Sequence, residues 1–530
     1  MLLRCLVLSL ILFCGSVFPE SPKYLDQGWS LKERAWFYSA DQGSRLAPYD
    51  IFFSIEQPDS EALFASRANL LSFGFLFQPG NDGVPIGFAR NGRELGLTCA
   101  ACHTSNIEYK GTTIRVDGGA GQSDMAGFLE ALGAALQANL EERKFNRMAK
   151  RLGANDAKSK EALRERLKRS ASERQTYNTV NRSDLVYGFG RLDAFGRIYN
   201  RVLQFAKSSD TVAANAPVSY PYLWDAPHHD YVQWVGSTSN AGLGSLARNV
   251  GQVVGVFGHV ELQSKVPQAG YNSSAQIGEL LAIENQLKRL TSPLWPEDVF
   301  PPIDRSRIAS GRKLFESNCL SCHQDIERKN PTRKIYAQMY GIDLVGTDPK
   351  TAVNIVEAKG STGLLKGKPV HFPVSIERFG ETASVNYMLR HLVEGILIQN
   401  PARLIQSGVT NAGGLSAGRQ GKFPVDPKDP LVALLAYKSR PLNGIWATAP
   451  YLHNGSVPTL DDLLLPASKR PKSFKTGSKA FDPVKVGFVS EEGPFTLDTS
   501  LPGNKNTGHE YGTNLSDGER ASLLEYLKSL

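Results

Sequence analysis

The sequence Cys-x-x-Cys-His occurs twice in the chain, at residues 99–103 and again at residues 319–323. This pentapeptide attaches haem covalently, because each thiol can add to one porphyrin vinyl group and the adjacent histidine can bind the iron. Four of the six cysteines lie in the two motifs, and the others are Cys5 and Cys14. A zinc ribbon also uses two Cys-x-x-Cys pairs, but brings them closer than the 220 residues that separate these motifs. The sequence therefore predicts two covalently bound c-type haems, held by Cys99, Cys102, His103, Cys319, Cys322 and His323.

The N-terminus has the pattern of a secretory signal. Arg4 precedes an apolar run that ends at Phe13, and the small residue Ser16 follows. This run is too short to span a membrane. We expect a signal peptide over residues 1–18, with lipidation at Cys14 as the alternative. The expected location is the periplasm or the exterior of a Gram-negative-type cell, and no integral membrane segment is predicted.

Composition and proline positions indicate two large halves. Pro293 and Pro296 interrupt the chain after a predicted helix, which places the boundary between an N-terminal haem domain over 19–298 and a C-terminal cytochrome c-like haem domain over 299–530. The expected fold is mainly α, with two cytochrome c-like haem domains, long ordered loops and little β-sheet. The 49 glycines and 30 prolines favour the loops. The formal charge of +8 is mild for this length, and no nucleic-acid-binding motif is found.

Hydrophobic periodicity predicts several elements around the motifs. In the first half these are helices over 124–152, 157–175 and 274–289 and a hairpin over 107–119. In the second half, Asp304 is expected to cap a helix that leads to Cys319, and Ser516 to cap a helix at the end. A helix before the motif and another that packs across it are typical of cytochrome c.

One histidine outside the motifs, His453, has a distinctive setting. The segment over residues 440–456 reads Arg-Pro-Leu-Asn-Gly-Ile-Trp-Ala-Thr-Ala-Pro-Tyr-Leu-His-Asn-Gly-Ser. Downstream of two haem motifs in an exported chain, it closely resembles the signature of the bacterial dihaem cytochrome c peroxidases and their relatives. Those relatives include the dihaem enzyme of methylamine dehydrogenase maturation and the dihaem rubber oxygenases. The resemblance covers most of the mature chain.

By this resemblance, the haem on His103 would be catalytic and the haem on His323 would store and relay electrons. No methionine follows Met388, so the methionine ligand that small peroxidases place downstream of the segment cannot be supplied there. His453 is then the candidate sixth ligand opposite His323, which gives a bis-histidine iron of lower reduction potential. The long spacing between the motifs and the segment over 234–237 look more like the rubber-oxygenase branch.

The open face of the first haem is expected within residues 249–262, which offer Phe257 and His259. A histidine there would suit proton transfer during cleavage of peroxide, and an apolar face would suit oxygen beside an apolar substrate. Simple packing in a loop is the alternative. Trp234 or Trp224 is the candidate electron relay, with a core position as the alternative. The candidate catalytic residues are His103, Trp234, Phe257 and His259.

Three function classes follow. The first is a peroxidase that reduces peroxide at the His103 haem, with electrons relayed through the His323 haem from a small periplasmic cytochrome or copper protein. The second is a dioxygenase, like the rubber oxygenases, that uses oxygen to cleave carbon–carbon double bonds of an apolar polymer. The third is an electron-transfer protein, for which the chain is unnecessarily long. We place the peroxidase first and the oxygenase second, and leave open a calcium ion of the kind some relatives hold between their domains.

Overall fold

The computed structural model describes residues 21–80, 83–263, 270–371, 375–401 and 418–530. The predicted signal peptide lies outside these residues. Within them the chain is 37% helical and 16% strand.

The secondary structure consists of fifteen helices and twenty-one short strands among the described residues. The helices, numbered α1 to α15, are Leu31–Ser39, Tyr49–Phe52, Arg67–Ser72, Met125–Ala138, Glu142–Arg151, Ala157–Val180, Ala194–Phe205, Gly244–Gly255, Ile277–Leu287, Arg305–Asn318, Ile342–Val345, Lys350–Glu357, Val385–Ile398, Leu460–Leu463 and Asp517–Ser529. The strands, numbered β1 to β21, are Lys23–Tyr24, Ala47–Pro48, Phe88–Asn91, Glu94–Leu97, Thr104–Tyr109, Thr112–Asp117, Arg191–Leu192, Val218–Ser219, Tyr231–Val232, Thr238–Ser239, Val260–Leu262, Tyr271–Ser273, Gln338–Gly341, Lys359–Ser361, Thr382–Ser384, Gln420–Lys422, Ala436–Lys438, Ser473–Thr476, Phe481–Asp482, Gly487–Phe488 and Phe495–Asp498.

The expectation of a mainly α fold with little β-sheet is wrong. The strands pair into nine small sheets of two or three strands across the described residues. The longest pairing, β5 with β6, is the predicted hairpin, and it sets the buried Ile107 opposite the buried Ile114. Segments between the helices run through the interior, where backbone N–H and C=O groups need partners, and these segments supply them by pairing with one another.

The first half is built on α4 and α6, which pack together. The predicted helix begins at Asp124, whose side chain caps α4 by accepting from the Gly127 N–H at 2.9 Å. The single helix predicted over 124–152 is divided into α4 and α5. The break falls at Asn139, whose buried side chain exchanges two hydrogen bonds, at 2.8 and 3.0 Å, with the backbone of Glu56.

The helix pair of the second half is confirmed. Asp304 accepts from the Ser306 N–H at the start of α10, which ends one residue before the second motif. Ser516 caps α15 in a reciprocal capping box with Glu519. The two helices cross at Gly311, where a Cβ atom would collide with the Ser522 carbonyl oxygen.

The largest hydrophobic core draws on both halves of the chain. It contains Trp29 and Trp295 together with Trp446 and Leu523. A second core joins α7, α8, α9 and α13 beside the first motif. The division at residue 298 stays a prediction. None of the helices in the described part of the chain is long and apolar enough to cross a membrane.

Candidate haem centres

The first motif folds into a tight turn on the wall of a cavity. Thr98 caps a short 3₁₀ turn that begins at Cys99, and the His103 N–H donates to the Cys99 carbonyl at 2.9 Å. As a result Cys99, Cys102 and His103 line the same cavity. The sequence spacing and the local fold therefore agree with attachment of one porphyrin at this turn.

The His103 imidazole is fixed by its second nitrogen. Nδ1–H donates to the Pro221 carbonyl at 2.8 Å, which leaves Nε2 free as a ligand. Burial lowers the pKa of His103 to about 4, so the imidazole is neutral near pH 7, as an iron ligand must be.

The second motif repeats this arrangement. Helix α10 leads directly into Cys319, and the His323 N–H donates to the Cys319 carbonyl at 2.9 Å. Nδ1–H of His323 donates to the Arg440 carbonyl at 2.6 Å. Burial lowers the pKa of this imidazole also.

The cysteines fit thioether formation better than a thiolate role. All four cysteines of the motifs are free of disulfide bonds. Burial raises the pKa of Cys99 and Cys319 to about 11, and that of Cys102 to about 12. A buried thiolate would be costly in this environment, whereas a thioether to a porphyrin carries no charge.

The two cavities differ in size and in what faces the motif histidine. The cavity that contains Cys99 and His103, here called the N-cavity, measures about 920 Å³. The cavity that contains Cys319 and His323, here called the C-cavity, measures about 210 Å³. The same prosthetic group would therefore leave much more free space in the N-cavity.

A second imidazole lies opposite His323 in the C-cavity. The ring centroid of His509 is 6.2 Å from that of His323. Two imidazoles that bind one iron from opposite sides, each through a bond of about 2 Å, have centroids about 6 Å apart. Nδ1 of His509 has no hydrogen-bond partner among the described residues, and burial lowers the pKa of the ring to about 3. The geometry fits a bis-histidine iron.

His453, the sixth ligand predicted from the sequence, also lines the C-cavity. Its ring stacks on Tyr437 at 4.0 Å and lies 6.5 Å from Trp234. The assignment of His453 as the sixth ligand stays a prediction, and His509 is a second candidate that was not predicted from the sequence. A usable signal was its position downstream of the Pro-Tyr-x-His segment, where small peroxidases carry their methionine ligand.

A thin wall separates the cavities. Residues 219–222, Trp234, Lys438 and Arg440 line both of them. The Trp234 indole donates to the Ser219 carbonyl at 3.1 Å. Trp224, the other candidate relay, is fully buried against Tyr222 and lines neither cavity.

The two motif histidines are connected through this wall. His103 donates to the Pro221 carbonyl, and the next carbonyl, that of Tyr222, accepts from the Arg440 guanidinium at 2.7 Å. The Arg440 carbonyl in turn accepts from His323. The guanidinium also stacks on the Tyr222 ring at 3.5 Å. A short chain of covalent and hydrogen bonds therefore joins both imidazoles.

The two residues predicted for the open face are placed differently. Phe257 lines the N-cavity with a positive φ of 63°, and its ring is held by Tyr177 at 4.9 Å and Arg174 at 4.3 Å. His259 is not among the lining residues. Its side chain is 53% exposed and lies 3.8 Å from Glu261.

Few acidic groups reach the N-cavity. Among the described residues Glu394 is the one carboxylate in its lining, and it pairs with Arg390 at 2.8 Å. The described residues also contain no cluster of three or more His, Cys, Asp or Glu side chains that could hold a metal ion.

Comparison with known proteins agrees with this picture. Residues 436–475, which include Lys438, Arg440 and His453, match the family described as RoxA-like, cytochrome c-like. A Sinorhizobium fredii protein, uncharacterized protein y4iJ, is 32% identical, and the alignment covers 97% of this chain and 94% of that protein. The chain belongs to the y4iJ family. A second protein of that organism, uncharacterized protein y4iM, is 27% identical over 55% of this chain and 56% of its own length.

The cytochrome c-like match implies haem c in this member of the y4iJ family and indicates a haem-dependent oxidoreductase. The match includes one side of the wall between the cavities and the segment around His453. It does not include either Cys-x-x-Cys-His motif.

Proposed function

We propose that this protein is an exported dihaem oxidoreductase in which the His103 centre is the reaction site and the His323 centre relays electrons. Two Cys-x-x-Cys-His turns, each with its histidine oriented by a backbone carbonyl, support two haems. The pairing of His323 with His509 supports a saturated iron at the second centre. The N-terminal signal pattern supports export to the periplasm or beyond.

The reaction that the geometry supports best is oxygen-dependent cleavage of a carbon–carbon double bond in an apolar substrate. The single observation that carries this proposal is the N-cavity, which is more than four times as large as the C-cavity. Part of its lining is apolar and comes from α7, α13 and the segment beyond residue 430, with side chains Phe195, Ile198, Val393, Leu397, Leu431 and Leu434. Space of this kind admits an elongated alkene and excludes water.

When bound, haem would supply an iron that can take dioxygen as a ligand. The net reaction is balanced without an external reductant, since both oxygen atoms enter the product and one double bond becomes two carbonyl groups. Phe257 supplies an apolar group at the cavity wall, held in place by Tyr177 and Arg174. The one lining carboxylate of the described residues, Glu394, is neutralised by Arg390. Phe257 would keep water away from the substrate at its part of the cavity wall.

A peroxidase is the second candidate, and the connection between the two centres favours it. Reduction of peroxide to water consumes two electrons and two protons, so the site needs a supply from outside. Trp234 and Arg440 lie between the cavities and offer a route from the His323 centre. The donor would be a small periplasmic cytochrome or copper protein.

The test compares two assays on the purified holoprotein. One supplies oxygen and dispersed polyisoprene and measures oxygen uptake and carbonyl products. The other supplies hydrogen peroxide and a reduced small cytochrome. We expect turnover in the first assay, and rapid turnover in the second assay alone would contradict the oxygenase.

A cavity-filling variant makes the test sharper. Leu389→Trp places a large ring in the partly buried N-cavity wall on α13. It should reduce turnover of the polymer about tenfold or more, because the substrate can no longer reach its position, while the haem content stays unchanged. Leu294→Trp, at a side chain that is 52% exposed, is the matched control. Equal polymer turnover in both variants would exclude the N-cavity as the substrate site.

A further inference from the structure

The wall between the cavities carries positive charge without matching negative charge. Lys438 is buried, and its Nζ donates to the Tyr231 carbonyl at 3.1 Å. Among the described residues, neither Lys438 nor Arg440 has an ion-pair partner. Burial, together with the charges of Arg440 and Arg248, lowers the pKa of Lys438 well below its usual value. Without a counter-charge the neutral amine is therefore favoured, and an anion nearby would restore the positive charge of Lys438.

The acids of this region make no ion pair with Lys438 or Arg440 among the described residues. Glu284 binds Arg248 at 2.5 Å. Asp230 acts on Lys438 electrostatically, and one of its oxygens accepts from the N–H groups of Tyr231 at 2.7 Å and Ala337 at 2.8 Å. Its other oxygen, Oδ2, is buried without a hydrogen-bond partner, so Asp230 offsets part of the positive charge but contacts neither cation directly.

Several buried polar atoms in the N-cavity lining, at or near this wall, also lack partners among the described residues. They are both ring nitrogens of His229, Oγ of Ser237 and Nε of Arg440. His229 is only 2% exposed, and all three residues line the N-cavity. Buried polar groups in proteins are almost always hydrogen-bonded, so this set points to a bound group with several acceptor atoms.

We propose that this wall is a carboxylate-binding site that holds haem propionates, and that Lys438 and Arg440 serve the haems of both cavities. The inference rests on the proposed function, because it requires that both haems are present. Arg419 lines the N-cavity alone and adds a third cation on that side. Ser237 and His229 supply hydrogen bonds to the same carboxylates.

Two sources could provide a carboxylate here. A haem propionate is present whenever the haem is attached, whereas a free carboxylate ligand would exchange with solvent. Lys438 and Arg440 line both cavities, which favours the propionates. A free ligand bound in the N-cavity alone would not need side chains that also line the C-cavity.

The experiment uses the dihaem holoprotein and its Lys438→Met variant, which loses the charge with little change in length. Resonance Raman spectra report the propionate bending bands, and spectroelectrochemistry reports the midpoint potential of each haem. Removal of a cation favours the oxidised iron, so the reduced-to-oxidised ratio at a fixed potential should fall about tenfold for both haems. Lys475→Met, at an exposed position in a distant sheet, is the matched control and should change neither signal.

The outcomes separate this inference from the proposed function. Two haems with unchanged propionate bands and potentials in Lys438→Met would overturn the carboxylate site and leave the dihaem assignment in place. A haem count below two in the wild type would refute the assignment itself. If acetate added to the wild type shifts the bands, the site binds a free carboxylate instead. Should Lys438→Met not fold, Arg419→Gln carries the test and should shift only the haem of the N-cavity.

Discussion

In the C-cavity the imidazole of His509 lies 6.2 Å from that of His323, whereas the larger N-cavity is lined by Phe257 and other apolar side chains together with the buried imidazole of His229. Both centres begin from the same pentapeptide, the same turn and the same imidazole–carbonyl hydrogen bond. The motif determines the proximal side of each centre. The opposite side of each cavity is formed by distant segments of the chain, and under the proposed function this difference separates a relay from a reaction site.

Removal of one cysteine pair tests the comparison most severely. The double variant Cys319→Ser, Cys322→Ser should retain one covalent haem, and Cys99→Ser, Cys102→Ser should retain the other. Haem staining on a denaturing gel, combined with the intact mass, measures this. Two covalent haems in either variant would contradict the assignment of the motifs.

Removal of the sixth ligand of the second iron should give the next largest effect. His509→Ala should convert a low-spin iron into a high-spin one, because the imidazole that faces His323 is lost. His453→Ala should leave the iron low-spin and change its spectrum only slightly. Electron paramagnetic resonance distinguishes the two spin states. The reverse result would identify His453 as the ligand, in agreement with the prediction from the sequence.

Electron transfer between the centres should respond to the wall. Trp234→Phe removes the indole that lines both cavities and should slow transfer several-fold, as followed after photolysis of a carbon monoxide complex. Trp224→Phe removes a fully buried indole that lines neither cavity. Equal rates in the two variants would show that Trp234 is not on the route.

The smallest expected effect concerns stability at the start of α7, which lines only the N-cavity. Asp193 is buried there, and it accepts from the Gly196 and Ala216 N–H groups. Burial raises its pKa to about 6, against the attraction of Arg197 and Lys350. The folded state therefore holds this proton more tightly than the unfolded state, and stability is lost as pH rises from about 4 to about 6.

The loss amounts to about 3 kcal/mol at neutral pH. Asp193→Asn removes this pH dependence but replaces one of the two accepting oxygens by an NH₂ group, so the variant should be less stable than the wild type at pH 4 and lose less free energy of unfolding as the pH rises to 7. Urea unfolding at several pH values measures this. A difference that is constant with pH would contradict the raised pKa.

Short-range sequence patterns predicted the helices and the hairpin next to the two motifs well. Asp304 and Ser516 cap the two helices that frame the second motif, and the hairpin after the first motif forms as expected. These features depend on short-range chemistry that a sequence displays. The break at Asn139 was missed because it depends on a contact with Glu56, far away in the chain.

The residues that complete each cavity opposite the motif histidine could not be predicted for the same reason, because they come from distant parts of the chain. His509 follows the Pro-Tyr-x-His segment in the chain, but its position opposite His323 depends on a contact with a distant segment, the hydrogen bond from its backbone N–H to the Val345 carbonyl. Lys438 looks like an ordinary strand residue until the fold buries it between two cavities. The sheets were underestimated because pairing between buried connections arises only when distant segments meet.

The packing of α15 across α10 has a consequence for maturation. Residues 517–529 are translated long after the second motif, yet Leu523 and Leu527 complete the wall of the C-cavity. A haem at the second motif would therefore be fully enclosed only once α15 has packed over Gly311. We expect a chain truncated before residue 517 to leave such a haem exposed to solvent.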